Sequence, residues 1–150
     1  MKKFLATICA AMILLTGCGE NSQATSNQIE EAVPMKHSVT IQINGKNFPV
    51  MLEDNPTARA FIERLPLEVD MLELNGNEKY FYFDSDLPID SVNVKQIHAG
   101  DLMLFGSNCL VIFYKDFATT YAYTRLGKLD TSADLEKILG TGNVRVMFTK

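Results

Sequence analysis

Apolar and polar residues alternate over Val39-Thr40-Ile41-Gln42-Ile43, and a second extended stretch, Phe48 to Leu52, follows Asn44-Gly45. Period-two alternation on either side of Asn-Gly is the pattern of a β-hairpin, because that dipeptide accepts the positive φ angles of a tight turn. The period then changes. Ala58, Phe61, Ile62 and Leu65 recur at helical spacing between Asn55-Pro56, an N-cap followed by proline at the first helical position, and Pro66, which stops the run. Leu67 to Leu74 and Lys79 to Phe83 predict two more strands joined through Asn75-Gly76-Asn77. Asp84 to Asp90, polar and holding Pro88, predicts a surface loop.

Further along, Gly100-Asp101 turns into a strand over Leu102 to Phe105, and Gly106-Ser107-Asn108 turns again. Cys109 to Tyr114 is an apolar run suited to a strand buried on both faces. The β-branched and aromatic stretch Thr119 to Thr124 predicts one more strand. Leu135, Ile138 and Leu139 share one face of a helix predicted over Ser132 to Leu139, with Gly140 beyond its end. Val144, Val146 and Phe148 alternate with polar residues in a terminal strand. So few helices cannot supply βαβ crossovers. The predicted fold class is therefore mainly β: a closed antiparallel barrel of about eight strands with two short helices, since closure removes exposed edges.

The chain ahead of this domain has a different grammar. Lys2 and Lys3 precede an apolar run from Phe4 to Leu15, the layout of a secretory signal and too short to span a bilayer. The junction Leu15-Thr16-Gly17-Cys18 resembles the bacterial lipobox, which implies cleavage before Cys18 and a lipid on its sulfur. Two or more acyl chains hold a protein stably on a membrane surface, so Cys18 is the expected lipidation site and membrane anchor of an exported, cell-envelope protein. Gly19, not Asp, follows the cysteine. Residues 18–37 are rich in Asn, Ser, Gln, Thr and Glu, a composition that cannot bury enough surface to order itself. As a flexible tether it reaches about 24 Å. The expected organisation is leader 1–17, tether 18–37 and barrel domain 38–150.

Composition narrows the chemistry. In 150 residues, 14 Lys and Arg stand against 18 Asp and Glu, and loss of Lys2 and Lys3 with the leader leaves 12 against 18. A nucleic-acid partner would call for a net-basic surface, so none is expected. Three Cys and two His are too few and too scattered for a structural zinc site, and no metal or cofactor is expected. With Cys9 in the leader and Cys18 acylated, Cys109 is left alone, and its setting in Cys109-Leu110-Val111-Ile112-Phe113 predicts a buried, inert thiol. Asp84, Asp86 and Asp90 begin like a calcium loop, but Ile89 and Lys95 stand where its Gly and closing acid are needed.

Helices after the second strand and before the last resemble the cyclophilin fold. The stretch Ile43-Asn44-Gly45 through Leu52-Glu53-Asp54-Asn55-Pro56-Thr57-Ala58-Arg59-Ala60-Phe61 looks like the cyclophilin opening, with Pro56 and Thr57 one residue closer together than in that pattern. Asn77 to Phe83, Ala99 to Cys109 and Tyr123 to Gly127 resemble more closely a bacterial cyclophilin-like domain family, a likeness covering about Ser38 to Lys150.

Resemblance to cyclophilins implies prolyl isomerisation as one reading. That reaction needs an apolar pocket for the proline ring and an Arg-type donor where the twisting amide nitrogen gains its lone pair. Cyclophilins carry that Arg in a Phe-His-Arg segment early in the barrel, with a Gln-Gly-Gly stretch and a Trp. Here Leu67 to Phe83 holds no Arg, Gln-Gly-Gly is missing, Trp is absent, and Tyr123 falls where a cyclophilin His would stand. Arg125 is the candidate substitute, with Met103, Phe105, Phe113, Tyr121 and Tyr123 as candidate groove lining. The favoured expectation is a non-catalytic module that binds a peptide or partner protein. An isomerase with a divergent site is the alternative. Alternation places two of Tyr80, Phe81, Tyr82 and Phe83 in the core and two outside.

Overall fold

A computed structural model of the chain describes residues 38–131 and 133–150; the predicted leader, Cys18 and the tether lie outside the described residues. The first hairpin forms as its alternation predicts. Strands β1 (Ser38–Ile43) and β2 (Lys46–Leu52) pair antiparallel around Asn44 and Gly45, both at positive φ. Helix α1 (Pro56–Glu63) follows. Asn55 caps it by accepting from the Ala58 N–H at 2.8 Å, while its amide donates to the Arg125 carbonyl at 2.7 Å. One side chain thus starts the helix and ties it to a strand seventy residues away.

The remaining elements, in chain order, are β3 (Leu67–Leu74), β4 (Glu78–Tyr82), β5 (Val92–Asn93), β6 (Gln96–Ile97), β7 (Asp101–Phe105), β8 (Cys109–Phe113), β9 (Phe117–Ala118), β10 (Ala122–Leu129), α2 (Leu135–Leu139) and β11 (Val144–Thr149). Eight strands close a ring in the order β2-β1-β11-β3-β4-β8-β7-β10, with β10 pairing back onto β2, and every pairing in it is antiparallel. This is the closed, mainly β barrel with two helices that the sequence predicts. Closure occurs at Gly127. A Cβ there would lie 2.5 Å from the Met51 carbonyl oxygen, so β2 and β10 approach this closely only because position 127 has no side chain. A register shift between Arg125 and Gly127 bends β10 at the same place.

Ile41, Ile43, Val50, Leu104, Leu110, Ile112, Val146 and Phe148 fill the barrel and are buried. The ends are closed by the helices. Phe61 of α1 sits edge-on to Phe148, ring centroids 5.3 Å apart, and 6.4 Å from Phe83. Leu135 and Leu139 of α2 join the same core, and Asn44 in the β1–β2 turn donates to the Ile138 carbonyl at 2.8 Å.

Strands β7 and β8 are apolar almost without interruption because they are covered on both sides. Leu102, Leu104, Leu110 and Ile112 point into the barrel, whereas Met103, Cys109, Val111 and Phe113 join Ile97 and Tyr123 in a second cluster on its outer wall. The cover includes β6 and β9, which pair with each other outside the ring. Phe117 of β9 packs against this second cluster.

Some element bounds differ from the sequence expectations. Residues predicted as one strand, Thr119 to Thr124, are divided: Thr119 to Tyr121 form a loop, and β10 begins at Ala122 and continues through Arg125 and Lys128 to Leu129. The loop conformation is set locally, because the Thr119 hydroxyl accepts from the Tyr121 N–H at 3.1 Å and the Thr119 N–H donates to the Lys95 carbonyl at 2.9 Å. Helix α2 is shorter than Ser132 to Leu139. Asp134 takes the N-cap by accepting from the Lys137 N–H at 3.2 Å. Strands β5, β6 and β9, two residues each, carry no periodicity that the sequence could display.

Candidate functional site

The candidate site grows from the alternation of β4. Its odd-numbered residues, Lys79 and Phe81, turn inward, and Glu78, Tyr80 and Tyr82 turn outward toward the second cluster. Lys79 is buried, and inside the barrel its ammonium donates to Glu73 and to the carbonyls of Gly140 and Gly142, the latter two at 3.0 and 2.6 Å. Glu73 also accepts from the Tyr114 hydroxyl at 2.8 Å. Partial burial acts to raise its pKa, but bonds from Lys79 and Tyr114 hold the Glu73 carboxyl below the usual carboxylate range. The charge of Lys79 is therefore consumed within the barrel wall.

On the outer side lies a cavity of about 640 Å³. Register explains its walls: Tyr80 pairs with Val111 and Tyr82 with Cys109 across β4–β8, and Phe105 pairs with Cys109 across β7–β8. Leu74, Asn75, Asn77 and Glu78 from the β3–β4 turn line one part of the wall, and residues 117 to 121 and Tyr123 complete it. Aromatic rings pack in series, Tyr121 on Phe105 at 5.9 Å, Phe105 on Tyr123 at 5.5 Å and Tyr123 on Phe113 at 5.4 Å between centroids. These edge-on and tilted contacts link the rings into one aromatic wall.

Electrostatics in the cavity are one-sided. Among the described residues lining it, Glu78 is the single carboxylate, and there is no Lys, Arg or His. Burial, and then the negative charge of Glu73, raise the Glu78 pKa above its ordinary value. Burial also pushes Tyr123 up to about 12, with the Glu78 charge adding to the shift. The Cys109 thiol, buried as its sequence setting predicts, is pushed up by burial as well, which keeps it protonated and unreactive at neutral pH. Oδ1 of Asn77 is buried in the wall without a hydrogen-bond partner. Among the described residues no group of three or more His, Cys, Asp or Glu side chains is gathered to hold a metal ion.

Of the six residues expected to form a groove, Phe105, Tyr121 and Tyr123 line the cavity. Met103 and Phe113 lie in the second cluster and are fully buried, so they support the walls without reaching the space. Arg125 is exposed, opposite Met103 in the β7–β10 register, and is not among the lining residues; among the described residues it makes no ion pair. His98 is an exposed loop residue 3.6 Å from Asp116. The expected lipidation site Cys18 lies outside the described residues.

Alternation predicts two residues of the 80–83 cluster in the core and two outside; the structure puts Phe81 and Phe83 with the core and Tyr80 and Tyr82 on the cavity wall, and the two tyrosines were not among the candidate groove residues. Sequence reasoning also missed Leu74, Asn77 and Glu78, whose one available signal is that they flank a turn beside that cluster.

Compared with known proteins, residues 41–149 match the family model described as the cyclophilin-like family. No curated protein and no solved structure matches the chain. The match spans most of the chain and all but the first few residues of the barrel, and on it this chain belongs to the cyclophilin-like family.

Proposed function

We propose that this chain is a non-catalytic binding module that takes an extended peptide segment into its outer cavity and works at the cell envelope, held to a membrane through lipid on Cys18. One observation carries the reading. Leu74, Tyr82, Phe105 and Tyr121, large apolar side chains that are 42%, 57%, 42% and 62% exposed, all border the same cavity. Leu72, also exposed, pairs across β3–β4 with Tyr80 and extends the patch. Monomeric domains rarely leave large apolar side chains contiguous at a concave surface without a partner to cover them. Beside the cavity, β6 and β9 pair only with each other among the described residues, and a short ribbon of this kind has edges open to strand addition.

An isomerase reading asks for a cationic donor at the twisting amide nitrogen. The cavity lining offers none, and Arg125 stands outside it. The test is the exchange rate of a proline-containing peptide measured by NMR with the protein and with Arg125→Ala. Both are expected to leave the rate at its uncatalysed value. Acceleration that disappears in Arg125→Ala would replace binding by catalysis. The envelope location is supported by Leu15-Thr16-Gly17-Cys18. Labelled palmitate should enter the protein in bacterial cells and be lost in Cys18→Ser; label retained by that variant would remove the proposed anchor.

A further inference from the structure

We infer that the cavity selects a basic side chain, a lysine of an extended peptide, with its stem along the tyrosine rings and its ammonium at Glu78. This rests on the peptide-binding reading above and adds what would distinguish one peptide from another. Charge is the first ground. Glu78 has no cation beside it in the cavity wall, and Lys79, its neighbour in sequence, is turned to the opposite face of β4, where Glu73 and two carbonyls occupy its three protons. Burial and the charge of Glu73 already disfavour the ionised Glu78, and an ammonium beside it offsets both.

The second ground is the wall itself. Tyr80, Tyr82, Phe105 and Tyr121 line the same cavity as Glu78, and aromatic rings attract a cation while covering an aliphatic stem. A neutral apolar side chain would gain the rings alone, and an acidic one would meet Glu78.

The test titrates the purified full chain with three mixtures of blocked pentapeptides, randomised at four positions and fixed at the centre as Lys, norleucine or Glu. Amide shifts of Glu78, Tyr80 and Tyr121 at pH 7.5 report occupancy. The Lys mixture is expected to bind about tenfold more tightly than norleucine, and the Glu mixture weakest. In Glu78→Gln, shown folded by near-UV circular dichroism, most of the Lys advantage should vanish. Norleucine binding as tightly as Lys, or a Lys advantage that survives Glu78→Gln, overturns the lysine inference and leaves peptide binding standing. Failure of all three mixtures to move these resonances overturns both.

Discussion

Glu78 and Lys79 are adjacent in sequence and lie on opposite faces of one strand, and their environments give them opposite parts. In Glu78 burial raises the carboxyl pKa. The folded chain therefore binds a proton at this site more tightly than the unfolded chain, and stability declines as pH climbs from the ordinary value of 4.5 through the raised one. Glu78→Gln cannot ionise and escapes that decline. Its melting temperature should exceed that of the parent at pH 7.5, and the gap should close near pH 4; a gap that does not change with pH would contradict the assignment. Lys79 is integral to the barrel instead. Lys79→Ala strands two carbonyls and the Glu73 carboxylate, which still reaches water in part. Denaturant unfolding should show a loss of about 2–3 kcal/mol, less than for a wholly buried pair. Neither role was legible from residue type. Both residues sit just past a predicted turn, where solvated charges are the norm, and only the pairing of β4 with β8 and the approach of Gly140 and Gly142 to Lys79 enclose them, Lys79 fully and Glu78 in part.

Among the elements, those that follow from a period were readable and those that follow from closure were not. Alternation marks β1, β2 and β11, the double-sided apolar run marks β8, and Asn55-Pro56 marks the start of α1, because each is decided by neighbours within a few residues. Strand β10 extends past its aromatic stretch because β7 and β2 pair with it on either side, which no local pattern announces. Gly127 is where those pairings meet. In Gly127→Ala the new methyl group would press on the Met51 carbonyl, backbone against which no side chain can yield, and β2 would have to separate from β10. A loss of about 2–4 kcal/mol is expected, with faster amide exchange along Val50 to Leu52. Unchanged exchange there would show that the seam is held elsewhere.

For the whole molecule, a ring of eight strands with a helix at each end leaves its interior packed, so the available space lies outside the ring, over strands β4, β8, β7 and β10. Half of the expected groove, Phe105, Tyr121 and Tyr123, was in reach of the sequence because these are the aromatic residues of β7, of the loop before β10 and of β10 itself. The other expected residues, Met103, Phe113 and Arg125, do not reach the space, and Leu74, Asn77 and Glu78, which were not expected there, come from a turn brought to the same wall by the β3–β4–β8 order. The measurement that bears most directly on this surface is an amide-shift titration with a fully randomised blocked pentapeptide mixture, run on the protein and on Tyr121→Ala. Saturable shifts confined to Glu78 to Tyr82, Phe105 and Thr119 to Tyr123, weakened about tenfold in Tyr121→Ala with the fold intact, are the expected result. Shifts that gather around Arg125 and α1 instead, or that ignore the loss of Tyr121, would contradict the outer cavity as the place where this protein works.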